Sequence, residues 1–394
     1  MKNAMNEMKR IALEYIDRYE ESMLRLWKNL VTMESPSADR DANEMIAAHL
    51  DTYCDAMGME REIYHFEKAG PTFTAWTGTG RLAPIALIGH FDTVHPKGKF
   101  GDDPFVIEGD TVHGPGVYDM KGGVVIALYA IRALQAAGYD ERQIKLLLSG
   151  DEEVAHALSD GEGGHLMELH TEGCAAVFNC ESGYEGEEVT IQRKGGAVFR
   201  IHVKGKAAHA GKDPEKGASA ILQAAHMISE IESHTVIGDM TFNCGRISGG
   251  SGANIIPDSC DFVMAVRYCT NQQYEEARNL ILELCENVSI PGTSCTMEQN
   301  GFYPAMEPAE RTGELLEVYK AACRELGAYV PEGVFQGGCS DSAFATRIGI
   351  PTLCSLGVQG DNAHSIDEEA YVSSLALQCK KLILTILSLP EEFL

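Results

Sequence analysis

Ala83-Pro-Ile-Ala-Leu-Ile-Gly-His-Phe-Asp-Thr-Val-His95 is an apolar run that stops at a glycine and turns into His, Asp and His. Ala83 to His90 reads as a strand, and alternation along it puts His90 and Asp92 on one face of its end. Outward from this strand, Lys121 to Ala137 has helical periodicity, while Ile144 to Ser149 and Ala175 to Asn179 read as further strands. Apolar runs alternating with helical patterns predict an α/β fold with a mostly parallel sheet flanked by crossover helices. Such sheets carry their chemistry just beyond the strand ends.

The texture changes near Gly195. Ala197 to Lys204, Thr241 to Ile247 and Cys260 to Tyr268 read as strands, and Lys216 to Ser233 and Asn271 to Glu286 as helices, together a small inserted α+β module. After about Tyr303 the first pattern returns, with a helix at Arg311 to Leu326, a strand at Pro351 to Leu356 and a helix at Tyr371 to Leu387. The expected division is therefore 1–194 with 304–394, and 195–303.

At 394 residues and 44% hydrophobic content the chain can bury an ample core and favours two domains. Its net charge of -26 opposes nucleic acid and anionic lipid as partners, since both demand clustered Lys and Arg. Twelve cysteines without any Cys-x-x-Cys argue against a disulfide framework and against a thiolate metal site, and fit a reducing cytoplasm. Met1 to Met23 interleaves charge with apolar residues at helical spacing, unlike a secretion signal, and no stretch approaches the roughly 18 apolar residues of a membrane span. Neither a Gly-x-x-x-x-Gly-Lys-Ser/Thr loop nor a dinucleotide fingerprint around Gly78-Thr-Gly80 is present.

Five polar clusters fall where strands end. They are His90 with Asp92, Asp119 in Gly114-Pro-Gly-Val-Tyr-Asp-Met-Lys-Gly-Gly123, Ser149-Gly-Asp-Glu-Glu153, Glu181 after Asn179, and His364 after the strand at Pro351 to Leu356. Each alone is commonplace. Together, two imidazoles and several carboxylates form an oxygen- and nitrogen-rich set suited to Zn²⁺, enough for a pair of ions if one carboxylate bridges them. Neighbouring Glu152 and Glu153 point in different directions, so one can ligate while the other acts as general base. Asp92 stands where it can orient the His90 ring.

The order and wording of these motifs resemble the zinc metallopeptidase family of glutamate carboxypeptidase, acetylornithine deacetylase and succinyl-diaminopimelate desuccinylase, over nearly the whole chain. The resemblance implies a zinc-exopeptidase-like catalytic domain with an inserted lid and dimerisation domain. It implies two divalent ions per subunit, Zn²⁺ first with Co²⁺ or Mn²⁺ as alternatives, one held by His90, Asp119 and Glu181 and the other by Asp119, Glu153 and His364. Asp119 is then the bridge, Glu152 the general base and Asp92 the His-orienting carboxylate, with a cis peptide expected at Asp119-Met120.

Gly205-Lys-Ala-Ala-His-Ala-Gly211 resembles the family's lid motif, which implies that His209 contacts the oxyanion, from the partner subunit of a homodimer. By the same resemblance Asn254, in Gly249-Gly-Ser-Gly-Ala-Asn-Ile-Ile-Pro257, contacts substrate, and Arg267 grips a substrate carboxylate with its two-pronged fork. Gly338 and Ser340 fall in the matching substrate loop Gly337-Gly-Cys-Ser-Asp341, whose Cys339 is expected to be buried and inert. The loop after Glu181 and the Gly301-Phe-Tyr-Pro304 return are acidic and aromatic where a C-terminal glutamate would call for Lys or Arg. The expected activity is hydrolysis of an amide bond beside a free carboxylate in a small peptide or N-acyl amino acid. An aminopeptidase or dipeptidase of the same superfamily, and an inactive binding protein on the same fold, are the alternatives.

Overall fold

The computed structural model describes residues 2–393. The chain divides into two compact units, one formed by Met1–Gln192, Pro308–Gln336 and Ser340–Leu394, the other by Arg193–Glu307 with Gly337–Cys339.

The first unit is built on a six-stranded sheet in the order Glu60–Tyr64, Thr72–Trp76, Arg142–Ser149, Leu82–His90, Ala176–Asn179, Thr352–Leu353. The last four run parallel, and the first two add an antiparallel edge. Ile85 to Ile88 and Ala176 to Phe178 are wholly buried, as central strands covered on both faces must be. The helix Gly122–Ala136 is apolar around nearly its whole circumference because helices Lys2–Thr32 and Val372–Leu387 both pack against it, through Trp27, Leu128, Leu382 and Ile386 among others.

Register is what positions the site. His90 lies opposite Ser149, and Ile88 opposite Asn179, so three parallel strands end close together and deliver their following residues to one edge of the sheet.

Several boundaries differ from the sequence reading. The helix expected from Lys216 begins at Ala220, because the Ser219 side chain caps it by accepting the Leu222 N–H and Pro214–Lys216 forms a separate turn. The strand expected over Pro351 to Leu356 is only Thr352–Leu353, because it lies at the sheet edge and Cys354 departs to bridge Thr190.

The second unit is a four-stranded antiparallel sheet in the order Thr241–Gly249, Ser259–Tyr268, Gly195–Lys204, Ser294–Tyr303. Phe199, Ile201 and Val203 alternate inward beneath helices Ala220–Ser233 and Asn271–Glu286, meeting Met227, Ile231 and Ile281 in a second core. All twelve cysteines are free. Among the described residues no helix is long and apolar enough to cross a membrane.

Candidate metal centre

Glycines bring the Asp119 segment against the strand end. A Cβ on Gly89 would stand 2.2 Å from Met120 Cε, and one on Gly123 would stand 1.8 Å from the Cys180 carbonyl oxygen. The pair Gly122-Gly123 therefore opens a helix that lies hard against a neighbouring strand end, rather than making a turn. The Asp119–Met120 peptide is cis, and the His90 N–H donates to Met120 Sδ at 3.2 Å. Glu368 fixes the same segment. Its Oε1 accepts the N–H groups of Tyr118 and Asp119, both at 3.0 Å, while Oε2 faces His95 Nε2 at 2.6 Å.

Asp119 stands between two imidazoles, with one carboxylate oxygen for each. Its Oδ1 is 3.3 Å from His90 Nε2 and its Oδ2 is 3.1 Å from His364 Nε2. His364 Nε2 is also 3.1 Å from Glu153 Oε2, and His90 Nε2 is 3.6 Å from Glu181 Oε1. Ligands about 2.0–2.1 Å from a tetrahedral ion stand roughly 3.3 Å from each other, so these separations are those of ligand edges. Ligand atoms of His90, Asp119 and Glu153 lie within 4.8 Å of one another, as do those of His90, Glu152 and Glu181.

The electrostatics call for cations. Burial pushes the Glu153 carboxyl up to about 7, with the Asp119 charge adding to it. Burial likewise raises Glu152 well above the carboxylate range against the pull of His90, with Glu181, Asp341 and Glu153 adding to the rise. His364 is driven up to about 11 by its contacts with Asp119 and Glu153. Burial opposes ionisation of Asp119, but His364 and His90 together hold it well below its usual value. Glu153 Oε1 is buried without any hydrogen-bond partner, which a polar atom in a closed site tolerates when an ion fills the gap. The donor set therefore fits divalent metal.

Asp92 does more than the sequence suggested. His90 Nδ1 faces the Asp92 backbone carbonyl at 3.1 Å and its carboxylate at 3.4 Å, so the ring is oriented by both. The carboxylate also accepts the N–H groups of Glu152 and Glu153, each at 3.2 Å, and the Ser37 hydroxyl at 2.7 Å. Ser37, His95 and Glu368 were missed in the sequence. A His beside the Asp92 motif and the acidic triplet Asp367-Glu368-Glu369 just after His364 were the available signals.

The remaining candidates belong to the second unit or to the Ser340 loop. His209 is exposed, and its Nδ1 accepts the N–H groups of Gly211 at 3.2 Å and Lys212 at 3.1 Å. The neutral ring therefore carries its proton on Nε2, as a donor and not a ligand. Asn254 lies next to it, its carbonyl accepting the Ala210 N–H at 2.9 Å. Arg267 crosses Gly196, where a Cβ would sit 2.0 Å from Nη1, and donates to Cys339 Sγ at 3.0 Å. Cys339 is half-buried rather than buried, with its sulfur accepting the Arg267 guanidinium N–H. Gly338 offers its carbonyl to Arg193 Nη1 at 3.2 Å. Ser340 is fully buried, and its hydroxyl faces Cys354 Sγ and accepts the Ser342 N–H, so it shapes the loop from within.

A mostly parallel sheet with a His and carboxylate cluster at its carboxyl edge defines an α/β metallohydrolase. The chain belongs to the family described as Peptidase family M20/M25/M40, which its residues 86–388 match. It is 30% identical over 298 residues to Carboxypeptidase G2 of Pseudomonas sp. strain RS-16, covering 74% of this chain and 70% of that one. It is 25% identical to the N-formyl-4-amino-5-aminomethyl-2-methylpyrimidine deformylase of Halalkalibacterium halodurans, covering 94% and 95% of the two chains. The solved structure of aminopeptidase PepT from Bacillus cereus shares the fold with a TM-score of 0.75 at 23% identity, covering 94% of this chain and 98% of that chain. The protein is thus a peptidase or amidohydrolase.

Proposed function

We propose that the protein is a two-metal hydrolase that cleaves the amide bond beside a free carboxylate, as a carboxypeptidase or an N-acyl-amino-acid deacylase. The observation that carries the two-metal part is the Asp119 carboxylate with a different imidazole at each oxygen, the arrangement a bridging ligand requires. His90, Asp119 and Glu181 would hold one ion, and Asp119, Glu153 and His364 the other. Zinc suits this nitrogen and oxygen set best, with Co²⁺ or Mn²⁺ as substitutes. Bound there, such ions would supply an activated water at neutral pH and polarise the scissile carbonyl.

The chain's own residues do the rest. Glu152, whose carboxyl burial holds well above the usual carboxylate range, takes the proton of the attacking water and passes it to the leaving nitrogen. Asp92 holds the His90 ring and the Glu152–Glu153 turn together. His209, a fixed Nε2–H donor, contacts the oxyanion across a homodimer whose lid is the inserted unit. Asn254 and Gly338 contact the substrate, with Ser340 shaping the Gly337–Asp341 loop from within.

The carboxylate preference rests on Arg267. Its guanidinium is oriented by Gly196 and Cys339, and in this acidic chain a planar two-pronged donor is suited to a substrate carboxylate. The relatives' names, carboxypeptidase and deformylase, are compatible with this reading. The chemistry fits a cytoplasmic enzyme acting on small molecules.

The test is a panel of N-formyl, N-acetyl, N-succinyl and N-benzoyl amino acids beside free dipeptides and their C-terminal amides, offered to zinc- and manganese-loaded protein and read by mass spectrometry. Hydrolysis of free acids with a blocked amino group is the expected result. Turnover confined to substrates with a free amine, regardless of the carboxylate, would instead establish the aminopeptidase or dipeptidase reading.

A further inference from the structure

Behind Glu152 lies a second buried cluster that the proposed chemistry does not use. Asp151, His156 and Asp341 are all fully buried, with His156 Nδ1 3.0 Å from Asp151 Oδ1 and Nε2 2.7 Å from Asp341 Oδ1. Both ring nitrogens face carboxylates, an arrangement that an imidazolium satisfies by donating from each. Burial alone would strip that proton, but the two aspartates hold the ring well above its usual value. With a carboxylate at each nitrogen, the ring has no position left for a nucleophile or an ion.

The surrounding sequence is arranged to admit this ring. Ala155 and His156 take left-handed backbone angles, φ 55° and 52°, which turn the chain sharply after Glu152 and Glu153. Helix Glu162–Thr171 carries Gly163 and Gly164 in its first turn, where alanine would be the better helix former. A Cβ on Gly163 would stand 2.4 Å from His156 Nδ1, and one on Gly164 would stand 2.4 Å from Phe344 Cζ. Phe344 in turn meets the imidazole edge-on, with centroids 5.4 Å apart. Asp151 Oδ2 also accepts the Ser159 N–H at 3.0 Å, closing the loop on itself.

The Glu152–Glu153 turn is thus gripped at two points. Asp92 takes its N–H groups, and the Asp151–His156–Asp341 relay fixes the residues on either side of it and ties them to the start of helix Ser342–Arg347. We propose that this relay is a positioning device for Glu152, setting the direction from which its carboxylate meets the attacking water. The inference rests on the general-base reading of Glu152.

The experiment is a double-mutant cycle on zinc-loaded protein, using the member of the N-acyl amino acid panel that is turned over fastest. His156→Gln should lower kcat about 10–100-fold, the usual worth of an outer partner in such sites, with KM within about threefold and the ion content unchanged. Added to Glu152→Gln it should cost nothing more, because effects acting through one residue do not multiply. Should His156→Gln not fold, Asp341→Asn keeps an oxygen facing the ring and serves in the same cycle. Independently of activity, ¹⁵N-histidine NMR of the wild type at pH 8 should show both ring protons of His156, signals that His156→Gln lacks.

A single ring proton, an unchanged kcat, or losses that multiply with Glu152→Gln would each overturn the positioning role. Loss of ions from His156→Gln would also overturn it, since the relay would then be holding the ligand Glu153. Near-normal activity of Glu152→Gln alone would instead show that the general-base assignment had failed, and the positioning claim with it.

Discussion

Asp92→Asn removes one charge and one acceptor from a carboxylate whose two oxygens are both in use. Oδ1 serves the Glu152 N–H and lies beside His90 Nδ1, and Oδ2 serves the Glu153 N–H and the Ser37 hydroxyl. The asparagine amide nitrogen can replace only one of them. At the Oδ2 position, Ser37 can rotate its hydroxyl to accept, and the Glu153 N–H alone is stranded. At the Oδ1 position the Glu152 N–H is stranded with no such rescue, so the first orientation is favoured. One buried N–H without a partner costs about 1–3 kcal/mol, and that is the expected loss of stability in the metal-free protein. Both tryptophans, Trp27 and Trp76, lie in the first unit, so fluorescence-detected urea unfolding reports the unit that holds Asp92. The disturbed turn carries Glu152 and Glu153, so kcat or metal affinity should also fall about 10–100-fold. An Asp92→Asn protein within about 0.5 kcal/mol of wild type and fully active would refute the claim that this carboxylate clamps the turn.

Two further outcomes are expected. Arg267→Ala should cost about 2–5 kcal/mol of binding toward a free-acid substrate if the pair is desolvated, and Arg267→Lys should restore only part of it; equal losses on the acid and its amide would remove Arg267 from carboxylate reading. In chelator-treated protein, Glu153 titrates near 7 instead of 4.5 and His364 near 11 instead of 6.5, so the folded state binds more protons than the unfolded state over both windows. The stabilisation is present at low pH and is lost as pH rises through those values, so the Tm of metal-free protein should fall between pH 5 and 8, and the stabilisation by added zinc should grow; a metal-free Tm that rises over this range would contradict the sign.

Much of the catalytic edge was legible because the ligand candidates sit at strand ends in chain order, where an apolar run stops and a polar cluster begins. His90 after Ile85 to Ile88 and Glu181 after Ala176 to Asn179 are of this kind. The supporting residues were not legible, because they meet the site from distant segments. Glu368 reaches the backbone of Asp119 across 249 positions, and Ser37 reaches Asp92 across 55, with no local pattern to announce either. The Ser294–Tyr303 strand was overlooked for another reason. It is an edge strand with the polar sequence Ser-Cys-Thr-Met-Glu-Gln-Asn-Gly-Phe-Tyr and a register shift before Gly301, so its alternation is blurred. Gly122-Gly123 and Gly163-Gly164 carry no local pattern that announces packing, and only the contacts a Cβ would make reveal them as sites of close approach.

The central claim is that Asp119 bridges two ions, and metal content tests it most directly. After zinc loading and gel filtration, elemental analysis should find about two equivalents per chain in the wild type and in Glu152→Gln, and close to none in Asp119→Ala. A single tightly held equivalent that survives Asp119→Ala would contradict the binuclear account.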